Sequence, residues 1–176
     1  MRLAILTKYD QQQQPLHARV RHLVLQLAAH HELFFGPSTP QAVYDALSWD
    51  HQQASLHTAA LSTLAPCVDA VVSIGGDGTM LGVARRLAGR KVPVLGINFG
   101  RIGFLTDAQP EQWREKLEEC LTGAEPVRSC LALSWSLTRK GKQIAHGCAV
   151  NDVVLSRGSL SRLVLFDVYI AGERLG

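Results

Sequence analysis

The chain has 176 residues, of which 47% are hydrophobic and 19% charged, with a formal net charge of +3. This profile excludes disorder as a whole-chain property and leaves room for the buried core of one to two domains. No apolar run approaches the ~18 residues that span a bilayer, and lysine and arginine are scattered without a dense run, so neither a membrane nor a nucleic acid is expected as a partner.

In chain order, Leu3 to Leu6 reads as a first strand, too short for a signal-peptide core before Thr7, Lys8, Tyr9 and Asp10 intervene. The Gln11–Gln14 run with Pro15 reads as a polar loop. From Leu16 the apolar positions Leu16, Val20, Leu23, Val24, Leu27 and Ala28 follow a period of 3.6 and predict an amphipathic helix. Leu33-Phe34-Phe35 predicts a second strand, closed by Gly36-Pro37, and helical stretches are expected over 40–47 and 55–65.

The clearest local pattern begins after Asp69. Ala70 to Ile74 is a β-branched apolar run, Gly75-Gly76-Asp77-Gly78 breaks it, Thr79 to Leu87 is helical, and Val92 to Ile97 is apolar again before Asn98. Strand, glycine turn, helix and strand make a βαβ unit with a parallel sheet and a right-handed crossover. A further helix is expected from Pro110 through Trp113, Leu117 and Leu121, ending at Gly123.

The pattern changes after Pro126. Leu131, Leu133, Trp135 and Leu137 alternate with small or polar residues, predicting a half-buried strand, with Arg139 to Lys142 as its turn. Gln143 to Leu155 and Leu163 to Ile170 are further strand candidates. The expected fold class is an α/β domain with a parallel sheet over residues 1–126, followed by an incomplete all-β second domain over 127–176. Ala171 to Arg174 reads as a hairpin turn without a return strand, as if the sequence stopped in mid-fold.

A glycine turn between strand and helix presents backbone N–H groups at the positive end of the helix and lets a phosphate approach closely. Within it, Asp77 adds a carboxylate that can take a proton from an attacking hydroxyl or help place Mg²⁺; a plain tight turn with Asp77 as helix cap is the alternative. A P-loop is excluded because no Gly-Lys-Ser/Thr ending follows, and the dinucleotide fingerprint fails at Leu81 and Asn98. The histidines build no metal motif: His30-His31-Glu32 lacks the HExxH spacing, and His51 and His57 do not share a helix face. Cys67, Cys120, Cys130 and Cys148 show no CxxC spacing and are expected as free thiols of a cytoplasmic protein.

The string VVSIGGDGTMLGVARRLAGRKVPVLGINFGRIGFLTD, Val71 to Asp107, resembles the heart of the bacterial NAD kinase family. GGDGT alone is shared with lipid kinases, but GINFGRIGFLTD at Gly96–Asp107 is far more specific, and AVNDVVLSRGSLSRLVLFDVYIAG, Ala149 to Gly172, resembles the family's Asn-acid segment and the strand after it. The resemblance implies an enzyme that uses ATP, with Mg²⁺ carried on it, to phosphorylate NAD on the 2′-hydroxyl of its adenosine ribose. It implies Asp77 as proton acceptor, Gly78, Asn151 and Asp152 as dinucleotide contacts, Phe104 as an aromatic near the adenine and Arg162 as a basic ligand contact. Beside each stands a plain reading: a strand-end turn for Asn151-Asp152, a core side chain for Phe104, a surface arginine for Arg162. Gly100 and Gly103 are expected to allow close backbone approach or simply to turn the chain.

Because a helix N-terminus favours a carboxylate's charged form, positioning and metal electrostatics are expected to outweigh basicity at Asp77. The family's later Gln-Arg-Ser/Ala-Asp-Gly and Thr-Gly-Ser-Thr-Ala-Tyr segments, and the part that builds a homo-oligomer, are not in the sequence. The 176 residues are therefore expected to have little activity alone, with a lipid-type kinase or a non-catalytic nucleotide-binding fragment as the alternative readings.

Overall fold

The computed structural model describes residues 1–7, 14–36, 57–58, 60–99, 103–124, 126–156 and 165–175. Nine strands and four α-helices follow one another among them. They are β1 (Arg2–Thr7), α1 (Gln14–Ala28), β2 (Glu32–Phe35), β3 (His57–Thr58), α2 (Leu61–Leu64) with a 3-10 turn (Ala65–Cys67), β4 (Ala70–Ile74), α3 (Asp77–Leu87), β5 (Val94–Ile97), α4 (Trp113–Thr122), β6 (Leu133–Arg139), β7 (Lys142–Ala149), β8 (Val168–Ile170) and β9 (Glu173–Leu175). Among the described residues no helix is long and apolar enough to cross a membrane.

The first five strands form one parallel sheet in the order β3-β2-β1-β4-β5. β1 and β4 are buried along nearly their whole length, as strands covered on both faces must be. Side chains alternate between two cores. Leu3, Ile5, Phe35, Val72, Ile74 and Ile97 meet Val20, Leu23, Val24 and Leu27 of α1 and Leu117 of α4 on one face. On the other face Ala4, Leu6, Phe34 and Val71 meet α2 and Val83 and Leu87 of α3.

From β1 the chain winds outward to β2 and β3, and from β4 it winds the other way to β5. The winding therefore reverses between β1 and β4. In open parallel sheets this reversal leaves a crevice at the carboxyl ends of the two strands. The glycine turn after β4 opens onto that place.

Several expectations change in the structure. The stretch expected to be helical over 55–65 holds β3, two residues paired to Phe34 and Phe35, and its helix begins only at Leu61; residues 37–56 lie outside the described residues. Proline in the first turn of α1 does not break it, because the first helical N–H groups need no intrahelical partner. α4 begins at Trp113, after a turn over 110–112, and ends as expected at Gly123, whose positive φ of 72° closes the helix.

In the later part, Lys140 and Gly141 both have positive φ, the requirement of a tight two-residue hairpin, and they join β6 to β7. The same device at Ala171 and Gly172 lets Glu173–Leu175 pair back onto β8, so a return strand exists where none was expected. Residues 150–156 and 165–167 lie outside the strands. The alternation along β6 predicts a half-buried face, yet Leu131, Leu133 and Leu137 are exposed, because β6 and β7 form a two-stranded sheet with no layer packed over their apolar side among the described residues. Trp135 covers its cross-strand neighbour Gly147 instead.

Phe35, with no accessible surface, anchors the first core, and Phe35→Ala is expected to destabilise the fold by about 3–5 kcal/mol in urea unfolding. The Asp69 carboxylate accepts the Arg2 backbone N–H at 2.8 Å and lies 3.5 Å from its guanidinium. The backbone hydrogen bond, reinforced by the Arg2 charge, holds the Asp69 carboxyl below its ordinary value of 3.8. A depressed folded value means stability that is present above the unfolded value and lost as pH falls through the folded one. Asp69→Asn should thus be less stable at pH 7, by under about 1 kcal/mol because water screens the pair, and its melting temperature should converge on the wild-type value below pH 3.8.

Candidate functional site

The site grows out of the end of β4. Ser73 and Ile74 are held between β1 and β5, and the Gly75 N–H donates to the Ile97 carbonyl at 2.9 Å, carrying the sheet's order into the turn. A Cβ on Gly75 would run into the side chain of Thr79, so the tight strand-to-helix passage needs glycine there. Gly76 is the N-cap of α3, and no side chain caps the helix. The first N–H groups of α3 are left for an anion.

Asp77 is the first residue of α3, but its carboxylate does not cap it. It reaches across to a segment following β5, where it accepts the N–H of Phe104 at 2.8 Å and that of Leu105 at 3.1 Å. The capping role is thereby excluded. Gly103 lies directly beside the carboxylate, and any Cβ there would overlap it. The close approach expected at Gly103 is real, and the group that approaches is the protein's own Asp77.

The segment is itself fixed. Residues 106–108 lie against β5, with a parallel bridge between Ile97 and Ala108. The Asp107 and Ala108 N–H groups donate to the Gly96 carbonyl at 2.8 and 3.0 Å, and the Asn98 N–H donates to the Ala108 carbonyl at 2.8 Å. The Gly96 N–H donates to the Asp107 carboxylate at 3.0 Å. Gly96 has no Cβ because Thr106 Cα and Met80 Sδ stand 3.1 and 3.3 Å from where it would be.

The other expected residues fall as follows. Gly78 is exposed on the first turn of α3, with open space where a Cβ would project. Phe104 is fully exposed, so the core reading of its ring is overturned. Asn151 and Asp152 follow β7 and are exposed, and among the described residues no hydrogen bond or ion pair joins them to Asp77. Arg162 and Gly100 lie outside the described residues. The structure thus brings together Asp77, Gly103, Phe104 and Leu105. Leu105 and Asp107 carried no signal of their own, since one acts through its main chain and the other only through its distance to Gly96.

Among the described residues no group of three or more His, Cys, Asp or Glu side chains could hold a metal ion, and Cys67, Cys120, Cys130 and Cys148 are free. A carboxylate with about four lone-pair sites, two of them used, keeps acceptor capacity toward a ligand. Gly103→Ala should push the Asp77 carboxylate off its two donors, lowering stability by about 1–3 kcal/mol in thermal unfolding, as overpacking does.

Residues 7–125 match the family model described as the ATP-NAD kinase N-terminal domain. Among curated relatives, the NAD kinase of Nitratidesulfovibrio vulgaris (strain DP4) is 50% identical over 115 residues, covering 65% of this chain and 38% of the relative. That of Hahella chejuensis is 46% identical over 105 residues, covering 60% and 36%. The chain thus spans well under half the length of these relatives. Among solved structures, yeast NADH kinase complexed with NADH superposes with a TM-score of 0.76 at 21% identity, covering 100% of this chain and 54% of that one, which bears on the fold alone. With a family match over most of its length, including the turn that holds Asp77, the chain belongs to the ATP-NAD kinase family.

Proposed function

We propose that the chain carries the phosphoryl-transfer carboxylate of an NAD kinase, which phosphorylates the 2′-hydroxyl of the adenosine ribose of NAD with ATP. One observation carries this reading: a carboxylate at the winding reversal of a parallel sheet, fixed by two main-chain donors beside an uncapped helix N-terminus. The curated relatives' names point to the same activity.

In the reaction, the 2′-oxygen attacks the γ-phosphorus of ATP, a new O–P bond forms, the bond to the bridging oxygen breaks, and ADP leaves. The hydroxyl's proton passes to the Asp77 carboxylate and then to solvent. Two N–H donors fix both oxygens of Asp77 and leave lone pairs for that hydroxyl, so its contribution is chiefly orientation. The uncapped N–H groups of α3 and the bare surface at Gly78 suit the dinucleotide's phosphates.

Asn151 and Asp152 supply donors and acceptors for ribose hydroxyls and a base edge, the exposed Phe104 ring offers a stacking face near the adenine, and Arg162 adds a basic contact. Mg²⁺ carried with the triphosphate, with Asp77 as a carboxylate that could help place it, would supply charge neutralisation when bound. We place this chemistry between an α/β domain over 1–126 and a β-rich domain over 127–176, in a cytoplasmic protein that forms a homo-oligomer.

The test is an NADP-forming assay with ATP, paired with calorimetric titrations of NAD, ATP and a diacylglycerol. Asp77→Asn should lower turnover by about 10²–10⁴-fold while NAD binding persists. Undiminished turnover in Asp77→Asn, or phosphorylation of the lipid in place of NAD, would overturn the assignment.

A further inference from the structure

We infer that Asp107 is a positioning residue for Asp77, acting through the segment that joins them. The inference rests on the reading of Asp77 as the reacting carboxylate. Among the described residues β5 is the outer strand of the sheet, with no neighbouring strand on one side to satisfy its N–H and C=O groups. Gly96 presents both of its groups on that side, and Asp107 answers both. Its main-chain N–H donates to the Gly96 carbonyl at 2.8 Å, and its carboxylate accepts the Gly96 N–H at 3.0 Å. Asp107, with the Ala108 N–H sharing the Gly96 carbonyl at 3.0 Å, thereby replaces a strand at this point of the edge.

A single residue, Thr106, separates Asp107 from Leu105, whose N–H holds the Asp77 carboxylate. Thr106 is itself pressed against Gly96, with its Cα 3.1 Å from the place of the missing Cβ. A trans chain spans at most ~3.6 Å per residue, so the two anchor points cannot shift independently. If the Asp107 carboxylate lets go of Gly96, the Gly96 N–H loses its partner, the segment is left with its main-chain bonds at Gly96 and Asn98, and the Phe104 and Leu105 donors are aimed less firmly. The second oxygen of Asp107 accepts from the Arg128 guanidinium at 3.1 Å, on the stretch leading to β6. Arg128 is 82% exposed, which makes this contact the weaker of the two.

Hydrogen exchange of the Phe104 and Leu105 amides, followed by NMR on the 176-residue chain, tests the inference without any substrate. Asp107→Ala should speed exchange at these two amides by at least ~tenfold relative to Val71 and Val72 in the sheet centre. Asp107→Asn keeps an acceptor for the Gly96 N–H and should restore most of the protection, and it reports on the same point should the alanine variant fail to fold. Arg128→Ala should stay within ~twofold of wild type. In the NADP-forming assay, Asp107→Ala should lower kcat more than it raises KM for NAD. Unchanged exchange at Phe104 and Leu105, uniform acceleration across the sheet in both Asp107 variants, or loosened amides with kcat intact would each overturn the inference. Failure of the kinase reading would show separately, as undiminished turnover in Asp77→Asn.

Discussion

Two hydrogen bonds between the Asp77 carboxylate and the main chain of Phe104 and Leu105 join parts of the molecule that are 27 and 28 residues apart. Everything around the glycine turn is arranged so that this contact can form. Gly75 clears the way for Thr79, Gly103 clears the way for the carboxylate, and Gly96 clears the way for Thr106. Three glycines on three different elements thus serve one close approach. A charge-assisted pair of N–H contacts on one carboxylate is among the stronger interactions available at a partly exposed place, and it sets the group's orientation as well as its position.

The sheet explains why the contact lies where it does. With β1 and β4 buried on both faces and helices on either side, irregular main chain near the sheet's centre emerges, among the described residues, at the strand ends. The reversal of winding between β1 and β4 removes any crossover from directly above that point. A carboxylate there is open to solvent-borne ligands yet stands just beyond a fully buried strand. That combination suits a group whose task is orientation.

Much of this was legible in the residues. Periodicity locates α1, and the run from Ala70 to Ile97 announces strand, turn, helix and strand, because apolar spacing and glycine punctuation are local signals. β3 was not legible, since two residues carry no period and their pairing to β2 is a tertiary event. β9 is hidden for a related reason: the turn legible at Ala171–Arg174 takes in Glu173 and Arg174, which the structure pairs with Ile170 and Tyr169. The exposure of Leu131, Leu133 and Leu137 could not be read either, because alternation reports which face is apolar and not whether anything lies against it. At the site, Asp77 stood out as a residue type in a recognisable turn, whereas its partners are main-chain N–H groups, which look the same at every position.

The central pair of strands also bears on how the chain reaches its native state. β1 lies beside β4, and the Arg2 amide is held by Asp69, 67 residues further along. Loop closure over that distance must precede the contacts that reward it, so the innermost strand of the sheet gains its second neighbour only once Ala70–Ile74 has been made. Assembly of this parallel layer is correspondingly slow compared with a helical bundle of equal size, and a nascent chain leaving the ribosome passes through an interval in which Leu3 to Leu6 has only its association with α1 and β2 to shelter it.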